Sequence, residues 1–221
     1  MAPQRLKLPS LRGKTVLITS GPTREHLDPI RYLTNASSGR MGAALASRAL
    51  RLGARAWVVS GPAVAPLPKG ARVFPVTSAL QMYRQTLKLW RRADVLVGAA
   101  AVSDWRFTSM APRKIKRGPS PLHLTLTPNP DIIKEVGRRR GRSRRPILVG
   151  FALETHEIRR FASEKLRRKG LDLVVANGPA SLSRDSGSAL ILDRQGRGRS
   201  ILGASKGRIA AAVFQEIRRF L

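Results

Sequence analysis

The chain has 221 residues, 42% of them hydrophobic, which is enough for one well-filled core; it has no cysteine, which excludes a disulfide framework, thiolate metal sites and a cysteine nucleophile. Its 42 Lys and Arg against 13 Asp and Glu give a formal charge of +29, a balance that favours polyanionic or phosphorylated partners without choosing among them. The basic start MAPQRLKLPSLRGK lacks the apolar stretch of a secretory signal, and no later stretch is apolar enough for a membrane span, so a cytoplasmic location is expected.

The first element, Thr15-Val16-Leu17-Ile18-Thr19, is a β-branched apolar run expected to form a strand buried on both faces. Met41, Ala44, Leu45, Ala49 and Leu52 then recur at helical spacing, after Ser37-Ser38-Gly39 and before Gly53. A strand over Ala54–Ser60 completes a βαβ unit. Arg72–Val76, Ala79–Trp90 and Asp94–Ala99 repeat the pattern as strand, helix and strand. Ala101–Pro121 is rich in Pro, Gly and Lys and reads as a mobile functional loop, followed by a half-exposed strand over Leu122–Leu126. A helix from about Pro130, a strand over Ile147–Phe151, a basic helix over Glu157–Lys169 and a strand over Leu171–Ala176 follow. Ala189–Leu192 and Ser200–Leu202 flank a hairpin turn, and Ile209, Val213, Ile217 and Phe220 share one face of a closing helix.

The fold class expected is therefore α/β: a Rossmann-like, mostly parallel sheet with helices on both faces, a mobile basic flap and an antiparallel extension. No polar linker divides it, so residues 1–221 are expected to form one domain, with residues 1–13 a flexible N-terminal segment.

In such sheets ligands bind beyond the carboxyl ends of the strands, where helix N-termini offer free N–H groups to anions. Two Gly/Ser-rich segments occupy such positions: Ser20–Glu25, and Asn35–Gly42 ahead of the first helix. By itself this signal is shared with tight helix–strand packing. No phosphate-binding loop of the G-x-x-x-x-G-K-[ST] type occurs, since Leu8 stands where the first glycine before Gly13-Lys14-Thr15 belongs. A dinucleotide oxidoreductase is disfavoured: strand one is not followed by G-x-G-x-x-G, and strand two ends in Ser60-Gly61-Pro62 and not in an acidic residue. His26, His123 and His156 lie far apart, so no metal site is expected.

Four segments in order resemble the phosphopantothenoylcysteine synthetases (phosphopantothenate–cysteine ligases) of coenzyme A biosynthesis. They are TSGPTREHLDPIRYLTNASSGRMG; GAAAVSDW with the downstream RKIKR; NPDIIKEVG with GFALET; and EKLRRKGLDLVVAN. The resemblance implies a ligase in which the carboxylate of 4′-phosphopantothenate takes the α-phosphate of a nucleoside triphosphate, with Mg²⁺, and the amine of L-cysteine then displaces the nucleotide monophosphate. CTP is favoured over ATP because the compact motifs resemble the bacterial branch. It also implies a homodimer, a separate decarboxylase in the pathway, and no flavin in this chain.

Carried over position by position, the resemblance makes Asn35 and Lys114 the catalytic pair. Asn35 would hold the acyl-nucleotide, and Lys114 of the flap would close over the triphosphate. Gly98, Ala99, Ala100 and Asp104 match the base-and-ribose site, and Pro130, Asp131, Ile132 and Ile133 put a helix N-terminus at the nucleotide. Phe151 would stack on the base, against the plainer reading of a core phenylalanine. Lys165 and Lys169, four apart on one helical face, match nucleotide-contacting lysines. Arg31, Asn35, Ser38, Gly39 and Ala101 match the substrate side, with Arg31 serving the substrate phosphate or the dimer contact. Pro128, Leu153 and Gly178 depart from the family pattern near the nucleotide.

The competing reading is a basic nucleic-acid-binding protein on a Rossmann-like fold. Aromatics make up only 5% of the chain and mostly lie inside apolar runs, so specific nucleic-acid recognition is not expected. The cluster Arg138, Arg139, Arg140, Arg142, Arg144 and Arg145 reads first as a solvated surface.

Overall fold

The computed structural model describes residues 10–154, 156–178 and 186–221. At its centre is an eight-stranded sheet in the order β12-β11-β10-β9-β6-β1-β4-β5. Its six parallel strands are β1 (Thr15–Ser20), β4 (Arg55–Ser60), β5 (Arg72–Pro75), β6 (Val95–Gly98), β9 (Ile147–Leu153) and β10 (Leu173–Asn177). Beside β10, β11 (Ser186–Asp193) and β12 (Gly198–Ser205) form the expected antiparallel extension. From β1 the chain builds outward through β4 and β5, then returns to build the other way through β6, β9 and β10. This reversal opens a crevice between the carboxyl ends of β1 and β6.

Residues of β1 alternate between two cores because successive side chains point to opposite faces. Val16 and Ile18 pack on one side with Leu45 of α1 (Arg40–Arg51) and Phe214 of α5 (Lys206–Ile217). Leu17 packs on the other side with Met82 of α2 (Ala79–Leu89), Val136 of α3 (Ile132–Arg140) and Leu166 of α4 (Ile158–Lys169). All of β1 is buried, so truncating Leu17 to alanine would cost about 2–5 kcal/mol. Close approaches set the helices: an alanine Cβ at Gly42 would fall 2.0 Å from Ser20 Oγ, and one at Gly137 would fall 2.1 Å from the Lys169 carbonyl oxygen. Gly137 thereby lets α3 and the end of α4 meet, which brings Lys169 to the start of α3.

Two ribbons not expected from sequence complete the fold. β2 (Arg24–His26) pairs antiparallel with β3 (Tyr32–Thr34), and β7 (Trp105–Phe107) pairs with β8 (Leu126–Pro128). The Ala101–Pro121 segment is therefore not wholly loop, and the strand expected over Leu122–Leu126 instead begins at Leu126, where β7 supplies a partner. The first ribbon is tied to α2 by buried Glu25, which accepts the Ala79 N–H at 2.9 Å and sets a negative charge at that helix N-terminus. Ser78 and Gln81 close a capping box on the same turn. At the N-terminus, Leu11 is buried and its N–H bonds to Leu52 O at 2.6 Å, so a flexible segment reaching residue 13 is corrected. Residues 1–9 of that segment lie outside the described residues.

Candidate functional site

A cavity of about 520 Å³ opens beyond the carboxyl ends of β1, β6, β9 and β10. Thr19, Gly98, Phe151 and Asn177 form its strand-end floor, and Ala99–Asp104 form one wall. Asn35, from the loop before α1, lines the cavity together with the start of α3 and with Lys165 and Lys169 of α4. The floor stays at backbone level at Gly98: an added Cβ would lie 2.6 Å from Ile133 Cγ1.

Asparagine amides stitch these walls together. Asn35 Nδ2 donates to the carbonyls of Ala101 at 3.3 Å and Val102 at 3.1 Å. Asn129 Nδ2 donates to Ser103 O at 2.9 Å, and the Asn129 N–H donates to Asp104 O at 2.8 Å. Buried Thr23 accepts the Ser103 N–H through Oγ1 at 3.0 Å. The loop after β6 is thus fixed from three directions, and the exposed side of Asp104 is held at the cavity rim.

Charge is arranged around the start of α3. Asp131 is its N-cap, accepting the Lys134 N–H at 3.0 Å, and it pairs with Lys169 Nζ at 2.7 Å. Burial pushes the Asp131 carboxyl up, but the bonds from Lys169 and Lys134 and the charges of Lys169 and Lys165 outweigh this and hold it below the usual carboxylate range. Lys165 moves the other way for a lysine: burial first, then the charge of Lys169, lowers its pKa, while Glu154, Asp131 and Asp104 oppose the shift. Lys169 is therefore committed to Asp131, and Lys165 is the cavity cation that is costly to keep charged. Helix N–H groups beside Lys165, with Lys169 offsetting the Asp131 charge, form an anion-attracting corner.

Of the residues singled out by sequence, the cavity gathers Asn35, Gly98, Ala99, Ala100, Ala101, Asp104, Pro130, Asp131, Ile132, Ile133, Phe151, Lys165 and Lys169. Phe151 lines the cavity, is half-buried and also packs on the α1–α5 core, as the plainer of its two readings has it. Four residues stand apart. Lys114 is exposed on the flap outside the cavity lining. Arg31 is ion-paired with Asp28 and donates to Ile115 O at 2.8 Å, bracing the flap. Ser38 lines a different hollow with Val64 and Lys206, and Gly39 is the buried N-cap of α1 at φ 78°. Thr19, Ser37, Asn129 and Asn177 lay within the quoted segments but were given no site role of their own; that of Asn129 needs the distant Ser103 carbonyl. Among the described residues no group of three His, Cys, Asp or Glu could hold a metal ion, and no helix is long and apolar enough to cross a membrane.

Residues 11–221 match the family described as the DNA/pantothenate metabolism flavoprotein C-terminal domain. The chain belongs to this family. It is 40% identical over 212 residues to the coenzyme A biosynthesis bifunctional protein CoaBC of Bacillus subtilis (strain 168), covering 94% of this chain and 52% of that protein. The chain thus spans about half the length of the curated relatives it matches. Among solved structures, the C-terminal domain of a CoaBC protein superposes with a TM-score of 0.81 at 32% identity, covering 95% of this chain and 96% of that one. A Cab2 H337A mutant in complex with phosphopantothenate-cysteine shares the fold, with a TM-score of 0.76 at 20% identity, covering 95% and 88%. The resemblance carried by the four sequence segments therefore holds at the level of the family.

Proposed function

We propose that this chain is a ligase of coenzyme A biosynthesis that joins 4′-phosphopantothenate to L-cysteine at the expense of a nucleoside triphosphate, CTP in preference to ATP. A carboxylate oxygen of phosphopantothenate attacks the α-phosphorus, pyrophosphate leaves, and an acyl-nucleotide remains. The cysteine amine then attacks the acyl carbon, loses a proton as the amide forms, and expels the nucleotide monophosphate.

The observation that carries this reading is the convergence of the α3 N-terminus, Lys165 and Lys169 with Asn35 at one cavity on the switch point of the sheet. Charge builds on phosphate oxygens during both steps, and fixed N–H donors and cations lower that barrier without reorganising. In this reading the Asp104 side meets base and ribose, Phe151 stacks on the base, and the triphosphate reaches α3 and α4. Asn35 and Ala101 hold the acyl group, with Arg31, Ser38 and Gly39 toward the phosphopantothenate end. Lys114 swings in from the flap. Mg²⁺ fits as an ion carried by triphosphate oxygens, since it needs only one or two carboxylates and the exposed Asp104 is the one not bound to a lysine. Its chemistry would be neutralisation of phosphate charge.

Flavin has no part in this reaction; a decarboxylase supplies the following step, and the ligase acts as a homodimer in the cytoplasm. The test is pyrophosphate release with 4′-phosphopantothenate, L-cysteine and either CTP or ATP. Release with CTP that depends on 4′-phosphopantothenate is expected, with full product requiring cysteine. Failure to consume any common nucleotide in the presence of both co-substrates would overturn the reading.

A further inference from the structure

The chain's charge of +29 is far more than the cavity uses. Part of it lines the amino edge of the sheet, opposite the cavity. In strand order this edge carries Arg72 at the start of β5, Arg55 at the start of β4, Arg92 before β6, and Arg144 and Arg145 before β9. Arg194 continues it in the turn after β11, whose final Asp193 lies across from Leu173 at the start of β10. All six are exposed.

The carboxylates at this edge are turned inward and already bonded. Asp94 accepts from Thr15 N–H, Lys14 and Arg145, and Asp172 accepts from Leu148 N–H, Arg140 and Arg194. Their side chains are 17% and 4% exposed, whereas Arg145 and Arg194 are 58% and 43% exposed. The outer layer is therefore of one sign. Several guanidinium groups are also held against rings: Arg72 lies 5.8 Å and Arg92 5.2 Å from the Trp57 ring centre, and Arg91 lies 4.7 Å from that of Trp90. Such stacking fixes planar donors before any partner arrives and reduces the entropy lost on binding.

We propose that this edge is a docking face for double-helical nucleic acid, contacted through its phosphates and separate from the cavity. Arginine forks match phosphate oxygens in pairs. With neighbouring strands roughly 4.8 Å apart, the seven strands from β5 to β11 that carry these arginines span about 29 Å, most of one turn of a duplex. Trp57 and Trp90 are buried beneath their arginines and present no ring face to an unpaired base, which favours a duplex over a single strand. An anionic membrane fits less well: of the exposed large apolar side chains among the described residues, only Val73 and Leu221 adjoin this edge, too little to insert.

The test compares full-chain protein with the triple variant Arg72→Gln/Arg92→Gln/Arg144→Gln and the charge-matched control Arg84→Gln/Arg160→Gln/Arg208→Gln. Binding to 20-base-pair RNA and DNA duplexes, a single-stranded 20-mer and phosphatidylserine vesicles is measured across a salt series. The edge variant should bind duplex about tenfold or more weakly, with a salt slope shallower by about 3, while the control binds as wild type. Pyrophosphate release should be unchanged in the edge variant. Equal weakening in both variants, tighter binding to the single strand, or edge-dependent binding to vesicles without duplex binding would each overturn the proposal.

Discussion

The buried carboxylate of Asp28 accepts the backbone N–H of Ile115, the residue after Lys114, at 3.2 Å. The same group accepts the N–H groups of Ile30 at 2.9 Å and Arg31 at 2.8 Å, and Arg31 Nε at 2.9 Å. The turn between β2 and β3 thus grips the flap directly, and Arg31 holds it from the other side through the Ile115 carbonyl. Burial pushes the Asp28 carboxyl up, but the bonds from Arg31, Ile30 and Ile115 outweigh it and hold the pKa well below the usual range. The latch therefore contributes stability fully above the unfolded carboxylate pKa of about 3.9 and loses it as pH falls through the lower folded value.

In Asp28→Asn one acceptor oxygen becomes an NH₂ group facing N–H donors, so the flap should come loose while the sheet stays intact. The flap carries Arg113, Lys114, Lys116 and Arg117, all open to trypsin. Faster tryptic cleavage there is expected, and if Lys114 acts as proposed, pyrophosphate release should slow about tenfold, because a loosened flap brings it over the cavity less often. Wild-type cleavage kinetics at the flap would show that Asp28 does not hold it.

Lys165 carries a cost that its position explains. Its pKa falls on folding, so the folded state binds fewer protons than the unfolded one near the folded pKa. Stability should rise with pH between that lowered value and the unfolded value near 10.4, and the charged lysine is destabilising below the window. Lys165→Met should accordingly melt higher than wild type at pH 7 while binding the triphosphate more weakly. A lower melting temperature in Lys165→Met would contradict this account.

The parts of the fold legible in sequence were those whose signal is local. Thr15–Thr19 declared a buried strand through its β-branched run, and the helix ending at Gly53 declared its stop. The ribbons were not legible, because three-residue strands show no period of two and exist only through their partners: β8 begins at Leu126 because Trp105–Phe107 lies opposite, although Leu122, Leu124 and Leu126 already alternate. At the site, the strand-end loops could be read from topology and the shared face of Lys165 and Lys169 from helical spacing, whereas their place at a nucleotide came only from the family resemblance. Asn129 could not, since its amide acts on a carbonyl 26 residues away, and neither could the capture of Arg31 by Asp28.

Lys114 is exposed on a polar flap, so its removal should be felt in chemistry and not in folding. Lys114→Ala should change stability by no more than about 0.5 kcal/mol, as for an ordinary surface site. If it neutralises the triphosphate, turnover should fall by about 100-fold, the usual loss for one donor aimed at developing charge. Thermal melting alongside single-turnover pyrophosphate release separates the two effects. Parallel losses of stability and activity would mean that the side chain serves the fold.

Asn35 joins the approach to α1 to the loop after β6, because its amide hydrogens are shared between the Ala101 and Val102 carbonyls. Asn35→Asp removes both donors and sets a carboxylate against two carbonyl oxygens, so the loop must shift. The same charge would stand in the cavity that the acyl-nucleotide is proposed to occupy, repelling its phosphate. Both effects predict slower formation of the intermediate, and they separate in Asn35→Ala, which loses the donors without adding charge. Burst-phase pyrophosphate release should fall in the order wild type, Asn35→Ala, Asn35→Asp, with the gap between the two variants narrowing as salt screens the added charge. A wild-type burst in Asn35→Asp would remove this residue from the proposed chemistry and leave it as a brace for the Ala101–Val102 loop.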